Sequence, residues 1–336
     1  MRAIRFVAPG QVDVAEVPDP EPRAGWARIR IRAAALCMTD FELLRGGLGI
    51  EFPLTPGHEY SGVVDRVGSS SDEAWLERKV VADNEITCLR CAYCRRGEWR
   101  RCLEYRQIGF GPSGGYAEYV VAPVHNLHDL PEAVSFEQGA LIEPLGVGIA
   151  VAGISGAHLG STATILGMGP IGLNCLAVLK ASGARRILCL DKRPARLALA
   201  KSWGAWEVTE DPEHLRALSR RLHPEGTDIV IEASGCAPLV NLGISLTRFG
   251  GSMVLAGYCK QEALAFEPDG LQAANIRMLG AGNNAGFIAP AALAAGDGVL
   301  STEAMITHRF RLEDCRRVFT DEQVGASDFV KGIFVF

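Results

Sequence analysis

The chain has 336 residues, 48% of them hydrophobic and 22% charged, a globular composition long enough for about two domains, which excludes a disulfide miniprotein or a disordered polymer. A formal net charge of −5 gives no global attraction for nucleic acid or an anionic membrane, so neither is expected as a partner. The first residues, MRAIRFVAPGQVDVAEVPDP, lack the apolar run of a signal peptide, and the most apolar stretch, Thr162–Leu179, is broken by Gly, Pro and Asn; the expectation is a soluble, cytoplasmic protein.

Short alternating runs over Ala3–Val7 and Ala27–Ala33, punctuated by Pro18, Pro20, Pro22 and Gly25, predict strands and turns rather than long helices. Tyr60–Val67 and Gly115–Ala122 repeat the pattern, so the first 130 or so residues read as a β-rich unit. After Pro144 the periodicity changes. Thr162–Leu166 predicts a buried strand, Gly167-Met168-Gly169-Pro170-Ile171-Gly172 a turn, Leu173–Ala181 a helix and Arg186–Leu190 a second strand ending at Asp191. Arg193–Trp203 has helical spacing, and Asp228–Glu232 and Met253–Ala256 read as further strands of a parallel, doubly wound sheet. From about Ala285 the chain is mixed again and ends in Gly332–Phe336, read as a strand returning to the first unit.

The glycine turn fits G-x-G-x-x-G. Its glycines permit a tight turn, close approach to a pyrophosphate and close packing of helix on strand. Asp191 follows Gly172 by 19 residues at the end of the next strand, where a ribose 2′-hydroxyl is read. Cofactor contacts are therefore expected at Gly167, Gly169, Pro170, Ile171, Gly172 and Asp191, with NAD preferred over NADP although Lys192 and Arg193 adjoin the acid.

The ten cysteines divide into a cluster and a background. Cys88, Cys91, Cys94 and Cys102 crowd one short segment, enough soft thiolates for a closed tetrahedral zinc site of structural type; the spacing also admits an iron–sulfur site or free thiols. Arg90, Arg95, Arg96, Arg100, Arg101 and Arg106 surround it, read as a solvated or subunit-facing loop rather than a nucleic-acid knuckle. The histidines other than His58 stand in no ligand-like spacing, and Met168, Trp203 and Trp206 read as packing residues.

Cys37-Met38-Thr39-Asp40, Gly57-His58-Glu59, the four-cysteine segment, Gly115-Tyr116-Ala117-Glu118-Tyr119, Glu143-Pro144-Leu145 and the glycine turn follow one another in a fixed order, and in this the chain resembles the zinc-containing medium-chain alcohol/polyol dehydrogenases over nearly its whole length. The resemblance implies an α/β protein with a GroES-like β-rich catalytic domain over 1–144 and 285–336 and a Rossmann domain over 145–284, with the dinucleotide in the cleft between them. It implies two zinc ions per chain, one structural and one catalytic. The catalytic ligands would be Cys37, His58 and an acid: Glu59 is expected as the resting ligand, and Glu143, which matches sorbitol-dehydrogenase-like members, as a direct or water-bridged one. Thr39 matches the hydroxyl that relays the alcohol proton. Glu42 stands where many members have histidine. The implied activity is NAD-dependent oxidation of a secondary alcohol in a polyol, sugar, cyclitol or amino alcohol, in a homodimer or homotetramer. A simple alcohol dehydrogenase and a non-enzymatic zinc-binding or redox-sensing protein are the alternatives.

Overall fold

The computed structural model describes residues 1–259, 265, 268–281, 286–320 and 325–336. The chain divides into two compact units, Met1–Glu143 with Ile288–Phe336, and Pro144–Phe287. The boundary expected at 284/285 lies outside the described residues. No helix among the described residues is long and apolar enough to cross a membrane.

The first unit is built on a seven-stranded sheet. Its longest strand, Trp26–Ala35, turns Ala27, Ile29 and Ile31 into the core while Arg28, on the opposite face and itself buried, pairs with Asp65 at 2.8 Å. Tyr60–Val67 flanks it on one side, and Tyr119–Pro123 and Lys331–Val335 share its other edge, all antiparallel to it. The expected C-terminal strand thus does return to the first unit, in the register Ile333↔Ala35. The core gathers aromatic rings, Phe6, Tyr116, Phe310, Phe319 and Phe334 among them, with Phe6 edge-on to Phe319 at 5.1 Å.

One local expectation for this unit needs correction. The predicted strand Gly115–Ala122 begins only at Tyr119, because its first residues are bound to another loop: Gly115 N–H donates to Gly57 C=O at 2.8 Å and Tyr116 N–H to Pro56 C=O at 3.0 Å. A short helix, Met38–Leu44, follows the longest strand.

The second unit is a six-stranded, all-parallel sheet in the order Glu207–Thr209, Arg185–Leu190, Thr162–Leu166, Thr227–Glu232, Thr247–Leu255, Arg277–Gly280. Numbered along the chain that is 3-2-1-4-5-6, the doubly wound order whose reversal beside the first strand opens a dinucleotide crevice. The apolar runs are continuous rather than alternating because helices such as Pro170–Ala181 and Ala237–Leu246 help bury the C-terminal halves of the central strands on both faces. Met168 is fully buried, as a packing residue should be, but Trp206 is half-exposed, its ring under the Arg186 guanidinium.

Candidate functional site

Cys37 caps the N-terminus of Met38–Leu44, and His58 and Glu59 lie just before the strand Tyr60–Val67. Gly57 delivers them: its φ is +100°, and a Cβ there would stand 2.6 Å from the Tyr116 ring. One thiol, one imidazole and one carboxylate consequently converge, their donor atoms all within 4.8 Å of one another.

Two residues that the sequence reading left without a role hold this set. Asp40 is completely buried; its Oδ2 accepts from Cys37 N–H at 2.9 Å and from the Tyr116 hydroxyl, and its Oδ1 lies 3.5 Å from His58 Nδ1. Lys331 is 3% exposed and donates to Glu59 Oε1 at 2.9 Å while its ammonium stands 2.6 Å from Oε2. Asp40 was legible as the N3 residue of a capped helix. Lys331 is 272 positions from Glu59, and its only sequence signal is a charge opening an otherwise apolar strand.

Burial pushes the Cys37 thiol up, but His58 beside it pulls it down further, for a net lowering. Burial also opposes charge on His58, and Cys37 and Asp40 outweigh it, so the imidazole titrates well above its ordinary value. For Glu59 burial wins over Lys331 and raises the carboxyl to about 8. Neither His58 Nδ1 nor Glu59 Oε2 makes a well-formed hydrogen bond; each has only its charged neighbour, Asp40 Oδ1 at 3.5 Å and the Lys331 ammonium at 2.6 Å. Buried polar atoms left so are costly, and a soft, an intermediate and a hard donor in one pocket are the set a catalytic zinc takes; the residues fit that ion. Removing the cation of the Lys331–Glu59 pair leaves a buried carboxyl, already raised to about 8, to take up a proton and lose its partner. Lys331→Met is expected to destabilise the metal-free protein by about 1–3 kcal/mol, read from denaturant unfolding, and a loss no larger than at exposed lysines would refute the pairing.

Around this set, Thr39 Oγ1 lies 3.4 Å from Cys37 Sγ, and Glu42 Oε1 accepts from Arg45 Nη1 at 3.0 Å. Glu143, in the first turn of Ile142–Ser155, is not one of the three converging donors. Its Oε1 accepts from Asn84 Nδ2 at 3.1 Å, and the same amide donates to the His58 carbonyl at 3.3 Å.

Cys88, Cys91, Cys94 and Cys102 bring four sulfurs within 4.8 Å of one another, and none is in a disulfide. The Sγ separations of 3.9 Å for Cys88–Cys94 and 3.5 Å for Cys91–Cys94 are close to the roughly 3.8 Å edge of a tetrahedron with Zn–S near 2.3 Å. Backbone N–H groups point at the sulfurs, Cys88 at Cys102 (3.3 Å) and Cys91 at Cys88 (3.4 Å). Such donation lowers Cys91 to about 6, while burial raises Cys94 to about 12. Around the rim Arg90 pairs with Glu104, and Arg96 and Arg101 pair with Glu98 and stack on Tyr93.

In the second unit Gly167 has φ +97°, and a Cβ at Gly172 would stand 1.9 Å from the Gly167 carbonyl, so both glycines are required. At Gly169, the cap of the helix that Pro170 opens, a Cβ would meet only the Arg196 guanidinium, at 3.7 Å. That open face over a helix N-terminus is of the kind that could hold a phosphate. Ile171 follows, part-buried. Asp191 Oδ2 accepts Met168 N–H at 2.7 Å and Oδ1 accepts Arg193 N–H at 2.9 Å, and Arg196 Nη1 lies 3.6 Å away. Arg196, with its Nε buried and unpartnered, was also missed by the sequence reading.

With the geometry in hand, known proteins give the following likenesses. Residues 23–132 match the alcohol dehydrogenase GroES-like domain and residues 170–289 the zinc-binding dehydrogenase domain. D-altritol 5-dehydrogenase of Agrobacterium fabrum is 31% identical over 329 residues, 95% of each chain. D-xylulose reductase A of Aspergillus niger is 30% identical over 312 residues, 88% of this chain and 86% of its own. A zinc-binding dehydrogenase from Sinorhizobium meliloti 1021, solved with NADP bound, superposes with a TM-score of 0.93 at 29% identity, covering 100% of this chain and 99% of its own.

Proposed function

The chain belongs to the zinc-containing medium-chain alcohol/polyol dehydrogenases, oxidoreductases that use zinc and a nicotinamide dinucleotide, and from that premise we propose that it moves a hydride between NAD(H) and a secondary alcohol carbon of a polyol, sugar, cyclitol or amino alcohol. The observation that carries the reading is the buried convergence of Cys37, His58 and Glu59. These three would hold the catalytic zinc, and Cys88, Cys91, Cys94 and Cys102 a second, structural one. Bound, the zinc supplies Lewis-acid polarisation of the substrate oxygen and the nicotinamide supplies the hydride acceptor.

The protein's own groups do the rest. Thr39 Oγ1, beside Cys37, takes the alcohol proton and passes it on; the ion pair of Glu42 with Arg45 leaves the onward route from Thr39 without the usual histidine. Asp40 keeps His58 oriented, and Lys331 favours the ionised form of Glu59 against its burial. Glu143 accepts a hydrogen bond from a substituent next to the reacting carbon. Gly167, Gly169, Pro170, Ile171 and Gly172 cradle the pyrophosphate, and Asp191 reads the ribose. Met1–Glu143 with Ile288–Phe336 would be the catalytic domain, Pro144–Phe287 the dinucleotide domain. A homodimer or homotetramer accords with the edge strand Arg277–Gly280, which pairs on one side only among the described residues.

For cofactor choice, both Asp191 oxygens already accept backbone N–H groups, which fixes the carboxylate, and a carboxylate so fixed accepts a ribose hydroxyl and repels a 2′-phosphate. Lys192, Arg193 and Arg196 work against that repulsion. Zinc-loaded enzyme is expected to favour NAD⁺ over NADP⁺ in kcat/KM by at least about tenfold, or about 1.4 kcal/mol, and Asp191→Ala to shrink the ratio. A wild-type ratio near one, or favouring NADP⁺, means the basic side chains win and the assignment is wrong.

A further inference from the structure

The metal-ligand segment and Glu143 are joined through one side chain, Asn84, whose amide nitrogen donates both its hydrogens, one to the His58 carbonyl and one to Glu143 Oε1. Both neighbours are pure acceptors, so the nitrogen must be the atom that faces them. Asn84 is 1% exposed, and no rotation toward solvent competes with this arrangement.

The backbone that carries Asn84 is clamped on both sides. Asn126 Nδ2 donates to the carbonyls of Asp83 and Glu85, each at 2.9 Å, and the Asn84 carbonyl accepts Ile108 N–H at 2.9 Å. One residue further, buried Glu85 is held from the four-cysteine lobe by the Tyr105 hydroxyl at 2.9 Å and Arg100 Nε at 3.4 Å, and Glu85–Ile86 pairs with Arg106–Gln107. The lobe is therefore tied to the candidate catalytic centre through Glu85 and Asn84.

On the reading of the site given above, we infer that Asn84 is a positioning residue that sets the distance and angle between Glu143 and the zinc-binding His58 segment, with the four-cysteine lobe as its anchor. It touches neither substrate nor metal. Its effect is to restrict how the Glu143 carboxylate rotates, and so how well that carboxylate meets a hydroxyl or ammonium next to the reacting carbon. Two consequences follow: the discrimination between a polyol and a monohydric alcohol passes through Asn84, and so does retention of the catalytic zinc, since His58 is held by the same amide.

The test uses zinc-loaded full-length enzyme and Asn84→Asp, which keeps the size and replaces the donor by an acceptor. Zinc release to an excess of chromophoric chelator should show one of two ions leaving about tenfold faster or more, the other unchanged, in line with the loss that outer-sphere partners of metal ligands produce. The ratio of kcat/KM for a vicinal diol over that for a matched monohydric alcohol should fall about tenfold. Asn84→Asp combined with Glu143→Gln should lower that ratio no further than Glu143→Gln alone. Where Asn84→Asp does not fold, Asn84→Ser, which keeps one donor and adds no charge, should move both readouts in the same direction by less. Unchanged release and ratio, equal acceleration of both ions, or an additive double variant each overturns the inference while leaving the zinc dehydrogenase reading intact. A wild-type protein that holds no zinc overturns both.

Discussion

Cys37→Ser is expected to reduce zinc from two ions per chain to one and to lower kcat/KM by about a thousandfold or more, with the fold intact. A serine hydroxyl is a poor substitute for a thiolate ligand, and the several kcal/mol of transition-state stabilisation that a Lewis acid supplies correspond to that loss. The fold should persist because Cys37 caps a seven-residue helix whose packing rests on Phe41, Leu43 and Leu44 rather than on the thiol. Cys94→Ser should do the reverse. Cys94 is 7% exposed at the centre of a lobe whose own elements are two-residue strands and single 3₁₀ turns, so its order depends on the ion. In such lobes metal-binding free energy is folding free energy, of order 10 kcal/mol in zinc-finger peptides, and the variant should lose the other zinc together with thermal stability. Elemental analysis with unfolding curves checks both. One zinc or none in carefully prepared wild type, or a Cys37→Ser enzyme that keeps two ions and its activity, would refute the two-site scheme.

The contrast between these cysteines also shows what was legible in the chain. Cys88 to Cys102, and Gly167 to Gly172 with Asp191, lie within short stretches, so spacing alone brought both forward as candidate sites. Thr162–Leu166 and Arg185–Leu190 were readable for the same reason, each ending in a run of buried residues, Ala163–Leu166 and Ile187–Leu190. Cys37, His58 and Glu59 came forward only as motifs of a family, since no periodicity relates position 37 to 58. Asn84 was not readable, and Lys331 only as a charge opening an apolar strand. Their roles exist only once Lys331–Val335 lies against Trp26–Ala35 and the Asp83–Glu85 segment passes beneath His58. Gly115–Tyr116 failed as strand for a related reason: a partner loop at Pro56–Gly57 took the backbone groups a sheet neighbour would have used.

The second large effect concerns the substrate. The sequence offered two carboxylates, Glu42 and Glu143, as marks of the polyol and sugar members, and the geometry separates them: Glu42 is engaged by Arg45 on its own helix, whereas Glu143 is held by an amide that also grips the His58 segment. The prediction therefore rests on Glu143. A carboxylate beside the reacting carbon would accept a hydrogen bond from a neighbouring hydroxyl or pair with a neighbouring ammonium. A substrate without such a group desolvates that acceptor and leaves it unmatched, at a cost of about 1–3 kcal/mol or more for a charged group. In kcat/KM this is a factor of roughly 5 to 150 in favour of a vicinal diol or amino alcohol over a monohydric alcohol of similar size. Glu143→Cys should narrow the gap chiefly by lowering the polyol rate, because the thiol accepts a hydrogen bond only weakly. The measurement is NADH formation across a panel of polyols, sugars and aminocyclitols against ethanol, propan-2-ol and cyclohexanol. If any of the three simple alcohols matches the best polyol or aminocyclitol, Glu143 does not select the substrate and the enzyme belongs with the simple alcohol dehydrogenases.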